Sequence, residues 1–395
     1  MPASASDTAT RNLILILATS GFASTFSGRA VEPLVGVIAR DLRTSAETIA
    51  LLSAAFALPY AFIQPVLGPV GDAVGKERIM KICLAILVLT LVASTVAPTT
   101  DILFAMRIVG GAAAGGIIPL ALALLGDRVD MGQRQIAISR FLVAVITGQL
   151  AGSSLAGILA AWIGWRGVFA VAAVLMLGAF AATMTGFRNT LPGAPFDLRT
   201  AMRRYRDIVL NSRARALFAL VFVEAIAVFG IFPYVAPLLE AQGEGGSAEA
   251  GLALGGFAVG GLLYSMLVRW MLRRLGLGRM LATGGGLAAL ALLTVGLVAN
   301  WKLDAAAMVV LGLGFYMLHN SFQTQVTEVA PKARASAVAL HAFSFFAGQA
   351  LGVVFVGAGL RAIGETATLA FAAAVILGVG LAAAAILTRP AQAAD

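Results

Sequence analysis

Apolar runs of about twenty residues, each broken by a short polar or glycine-containing turn, recur along almost the whole chain. A helix of that length crosses the ~30 Å hydrocarbon core of a bilayer while satisfying its own backbone. The pattern predicts twelve helical spans, at 12–36, 47–71, 78–97, 101–125, 136–160, 166–187, 214–239, 250–272, 280–299, 304–327, 336–360 and 367–388. Alternating ten-residue strands are lacking, which argues against a membrane barrel. The start, MPASASDTATRN followed by an apolar stretch, has the look of a secretory signal. Its apolar run continues to Ala39, so it is expected to stay in place as the first span.

Composition agrees with lipid as the main solvent. Hydrophobic residues make up 60% of the 395, charged residues 12%, and the mean hydropathy is +0.93. The net charge of +9 is carried by turns between spans, with no soluble basic domain, so it reports topology and not nucleic-acid binding. With both termini and the 188–213 segment in the cytoplasm, 20 of the 28 Lys and Arg fall on that side and five (Arg40, Arg43, Arg166, Lys302, Arg361) on the other. That asymmetry obeys the positive-inside rule. Cys83 is the single cysteine, so no intrachain disulfide or thiolate cluster forms, and two histidines on different spans make a poor metal set. The glycine-dense stretches within spans follow no strand, so direct use of ATP is not expected.

Internal similarity supports an even span count. Gly75, Arg78 and Met80 match Gly276, Arg279 and Leu281 at an offset of 201, and Val129 and Arg134 match Val329 and Arg334 at 200. Pro33-Leu34 matches Pro237-Leu238 at 204. The expected organisation is a six-helix bundle over 1–187, a basic cytoplasmic linker over 188–213 and a second six-helix bundle over 214–395.

Between the second and third spans, Gly68, Asp72, Gly75, Lys76 and Arg78 form a charged glycine turn. On these residues the chain resembles the major facilitator superfamily, over essentially its whole length. Arg107 with Gly110 and Gly111 in the fourth span is similar to a family signature common in proton-linked members. Gly148, Gly152 and Gly157 in the fifth resemble the family's antiporter signature, with Ser153 where a proline is usual. The first span departs from related drug:proton antiporters: Arg29 stands where they often carry an acid, and the acid, Glu32, directly precedes Pro33. The resemblance implies a monomeric all-α membrane protein of twelve transmembrane helices in two pseudo-symmetric bundles, with no enzymatic activity. It implies alternating access around a midplane cavity lined by helices 1, 4, 7 and 10, no cofactor, and a proton gradient as energy source. In the family, residues equivalent to Asp72, Lys76 and Arg78 gate the cytoplasmic side.

Charges inside spans are costly, ~2.5–3.5 kcal/mol each on insertion scales, and so are functional candidates. Arg29, Glu32 and Arg107 fall in one layer, either holding an anionic substrate group or bracing the first span against the fourth. Glu224, ~15 Å from the end of the seventh span, has apolar neighbours on its helical face and suits a reversible proton carrier. Tyr316, His319, Asn320 and Gln323 share one face of the tenth span, and His341 lies on the eleventh. The proton-coupling set is therefore Glu224, Glu32 and His319; the substrate-binding set is Arg29, Arg107, Tyr316, Asn320, Gln323 and His341. The leading expectation is a proton-coupled antiporter in the cell membrane that exports a small organic compound. Proton symport of an anionic metabolite and a non-transporting receptor or assembly factor are the alternatives.

Overall fold

The computed structural model describes residues 5–187, 198–330 and 333–388, with the side chains of residues 5–9, 72, 198 and 201 outside that description. Every regular element among the described residues is helical. The first span is α1 (Ala5–Arg29) and α2 (Val35–Asp41), joined by a 3-10 turn at Glu32–Leu34. Then come α3 (Ala46–Val74), α4 (Lys76–Thr95), and α5 (Thr100–Ala114) with α6 (Ile117–Arg128) as its continuation. The remaining helices are α7 (Met131–Gly186), α8 (Leu198–Leu210), α9 (Ser212–Phe229), α10 (Val235–Gln242), α11 (Ser247–Leu297), α12 (Trp301–Val329) and α13 (Arg334–Leu387).

Three of these are far longer than one crossing. At 1.5 Å per residue the 56 residues of α7 would extend about 84 Å, against a hydrocarbon core of ~30 Å. Each is broken once by a glycine with positive φ: Gly164 (φ 67°) in α7, Gly276 (φ 68°) in α11 and Gly364 (φ 80°) in α13. No atom lies within 4 Å of where a Cβ would stand at these three glycines, so the requirement is conformational and not steric. With those breaks, the apolar helices among the described residues resolve into twelve spans, at the places where the hydropathy pattern put the turns.

The repeat is visible in backbone detail. The 3-10 turn at Glu32–Leu34 has its counterpart at Phe232–Tyr234, each with proline in the middle. The expected match of Pro33 to Pro237 is thereby corrected: its partner is Pro233, at an offset of 200, and Pro237 lies inside α10. Proline without an amide N–H is tolerated where the helix is already interrupted. Gly111 packs on the backbone of Phe56, and Gly312 does the same on Phe257. Across the two halves, α7 packs against α11 and α3 against α13, and these two contacts make up most of the seam.

Candidate functional site

The break after Arg29 shapes the centre of the molecule. Once α1 stops, the carbonyls of its last turn lack intrahelical partners, and the positive guanidinium of Arg107 fills that need. Arg107 donates from Nη1 to the Ser27 carbonyl (3.1 Å), from Nη2 to the Gly28 carbonyl (3.2 Å) and from Nε to the Leu52 carbonyl (3.4 Å), and lies 4.1 Å from the Phe56 ring centre. It is buried. Arg29 turns the other way, donating from Nη1 to Glu32 Oε1 at 2.7 Å with its guanidinium 4.8 Å from the Phe229 ring centre.

Arg29 and Glu32 line a central cavity of about 90 Å³ together with Gln149, Gln349, Phe229 and Phe346. Gln149 and Gln349 are repeat equivalents on the fifth and eleventh spans, facing one space from opposite halves. The side-chain groups Glu32 Oε2, Ser53 Oγ and Gln349 Nε2 have no hydrogen-bond partner among the described residues. A volume of about 90 Å³ is well below the ~300 Å³ or more of a pocket that engulfs a small molecule.

A second polar group lies outside the cavity wall. His319 Nδ1 and Glu224 Oε2 are 2.8 Å apart, both buried, and the other carboxylate oxygen of Glu224 has no partner among the described residues. Phe315 stacks on His319 at 4.8 Å between ring centres, Phe345 lies tilted against it at 4.6 Å, and His341 follows at 5.2 Å with neither ring nitrogen hydrogen-bonded among the described residues. Asn320 donates to the Tyr264 hydroxyl at 2.7 Å, Tyr316 packs among Phe257, Phe315 and Tyr264, and Gln323 is exposed. Of the six expected substrate ligands, Arg29 stands on the cavity wall; Arg107, Tyr316, Asn320, Gln323 and His341 do not. Gln149, Gln349 and Ser53 line the cavity and are not among the expected ligands. The equivalence of Gln149 and Gln349 at an offset of 200 was the available signal.

The charged turn lies at the end carrying the termini. Gly75 takes φ 102° between α3 and α4, a value that favours glycine. Lys76 Nζ meets Asp127 Oδ2 at 2.6 Å, and its neighbour Glu77 pairs with Arg128, so the end of α6 is clasped twice. Arg78 is exposed, Gly68 lies within α3, and the Asp72 side chain is outside the described residues. At the far end, Arg40 on α2 and its repeat equivalent Glu240 on α10 form an ion pair of 2.5 Å across the halves, with Gly36 packed under the Glu240 carboxylate. The Ser247 hydroxyl donates to the Gly157 carbonyl at 3.2 Å beside it.

The glycines of the antiporter-like motif have packing roles. Gly148 and Gly152 press on the backbones of Phe22 and Phe26 in α1, and Gly157 on that of Ser247. Their equivalents Gly348 and Gly352 on α13 press on Phe222 and Ile226 of α9 in the same manner, and Gly357 lies against Tyr234. Both halves therefore use the spacing for close helix approach.

A family model described as Major Facilitator Superfamily matches residues 17–353 and 217–394. The uncharacterized MFS-type transporter YtbD of Bacillus subtilis (strain 168) is 25% identical over 231 residues, covering 58% of this chain and 57% of the relative. The multi-drug resistance efflux pump PmrA homolog of Lactococcus lactis subsp. lactis (strain IL1403) is 26% identical over 212 residues, 52% of each chain. The chain thus spans about half the length of the curated relatives it matches. Among solved structures, the nucleoside transporter NupG superposes with a TM-score of 0.76 at 16% identity, over 96% of this chain and 100% of that one, a likeness of fold alone. With a matching family model along nearly its whole length and twelve spans in the repeated arrangement, the chain belongs to the Major Facilitator Superfamily.

Proposed function

We propose that this chain is a secondary active transporter that exports a small organic compound in exchange for protons by alternating access. The observation that carries this reading is the buried Glu224–His319 pair. In one form the carboxylate accepts from the Nδ1–H of a neutral imidazole; a proton added at the free Oε1 makes the pair neutral throughout. Uncompensated charge is costly away from water, so proton exchange at this site needs the rearrangement that admits water. That links proton loading to conformation.

The chamber between Arg29, Glu32, Gln149 and Gln349 receives the substrate. Arg29 and Glu32 cancel each other, so the wall offers amide, hydroxyl and aromatic contacts with little net charge. This favours a neutral or zwitterionic compound over the anion that a free arginine would select. Names such as efflux pump among the relatives support the direction of transport as export. The protein works as a monomer of two six-helix units, 1–187 and 214–395, joined by 188–213. Its termini face the cytoplasm of the cell membrane, where the lysine and arginine asymmetry puts them.

The test uses proteoliposomes under a pH gradient, with the compound that most stabilises the purified protein in a thermal-shift screen. Glu224→Gln is expected to abolish gradient-driven accumulation while preserving exchange of labelled for unlabelled compound. Accumulation at the wild-type rate would remove Glu224 from coupling.

A further inference from the structure

α8 is a short amphipathic helix whose partner is only half accounted for. On a helical wheel at 100° per residue, Tyr205 and Ile208 face the protein: Ile208 is buried, and the Tyr205 hydroxyl donates to the Pro65 carbonyl of α3 at 2.7 Å. Met202 and Val209 lie beside that face but point outward, and Met202 is 60% exposed. Next around the wheel come Arg199, Arg203 and Arg206, all exposed. Arg206 pairs with Asp207 at 3.0 Å, whereas Arg199 and Arg203 carry no ion pair among the described residues.

Two anchors fix the height of this helix. Pro65 lies six residues, about 9 Å along a helix, before Gly71, where the apolar run of α3 ends, and one residue, Asn211, separates α8 from the start of α9 at Ser212. α8 therefore lies along the border between hydrocarbon and water. A helix with an apolar strip edged by arginines at that height fits the headgroup boundary, where aliphatic side chains reach the acyl region and guanidiniums meet phosphate. A soluble acidic peptide would supply the charge but gives no account of Met202 and Val209 at this depth.

We infer that α8 is a docking surface for anionic phospholipid, with Arg199 and Arg203 holding the headgroup and Met202 and Val209 lying against the acyl chains.

The test measures binding of a fluorescent phosphatidylglycerol and a matched phosphatidylcholine to the full chain in neutral detergent. A basic residue near an anionic surface contributes roughly five-fold in affinity, so R199Q/R203Q is expected to weaken phosphatidylglycerol binding about twenty-five-fold and leave phosphatidylcholine unchanged. On the unmutated protein, raising salt from about 50 mM to about 500 mM is expected to weaken phosphatidylglycerol binding selectively, a readout that needs no variant to fold. M202Q/V209Q, with all arginines kept, is expected to weaken binding several-fold. Equal affinity for the two lipids, a double-arginine variant within two-fold of wild type, or full displacement of the lipid by a soluble polyglutamate would each overturn the inference.

Discussion

Arg107→Ala separates bracing from substrate binding. The wild-type guanidinium holds three carbonyls, at Ser27, Gly28 and Leu52, and stacks over Phe56. Interhelical hydrogen bonds inside membranes average ~0.6 kcal/mol, so three of them, one long, amount to about 1.5–2 kcal/mol. The buried cation–π contact adds roughly 1–2 kcal/mol. The alanine variant is therefore expected to lose about 2.5–4 kcal/mol of stability without any ligand present. Arg107→Lys should fall between, because one ammonium does not reach carbonyls on two helices as a planar fork does. Reversible unfolding in mixed micelles, followed by circular dichroism, gives the difference directly. If the alanine variant lies within ~0.5 kcal/mol of wild type and instead loses only ligand-induced stabilisation, Arg107 is a substrate ligand and the bracing argument is wrong.

Three other substitutions probe the helix packing and the ion pair between the halves. In Gly152→Ala and Gly352→Ala a new Cβ would stand 2.6 Å from the Phe26 carbonyl oxygen and 2.7 Å from that of Ile226, so each is expected to cost about 1–3 kcal/mol of overpacking in the same unfolding assay. A G152A protein of full stability that has lost transport would show that the motif acts otherwise than by helix contact. The Arg40–Glu240 pair has a 63% exposed arginine, and exposed pairs contribute ~0.2–1 kcal/mol. Glu240→Gln should accordingly speed thiol labelling of S53C, in a C83A background, by at most about five-fold. A larger acceleration would mean that this one pair holds the far end shut.

Much of the architecture was legible in the residues, because hydrocarbon admits only helices and sets their length. Twelve spans follow from local composition, and the turns at Gly75, Gly164, Gly276 and Gly364 follow from a backbone conformation that glycine adopts easily. Charges within spans marked Arg29, Glu32, Arg107 and Glu224 as candidates for the same local reason.

What each of those groups touches was decided by tertiary structure. Glu224 meets His319 from 95 positions away, Arg107 serves the broken end of α1, and Gln149 and Gln349 converge on one chamber from opposite halves. Such partners depend on how each helix is rotated about its axis and how closely glycine contacts let neighbours approach. Hydropathy averages over exactly that angle, so span positions survive in the sequence while the pairing of polar groups across spans does not.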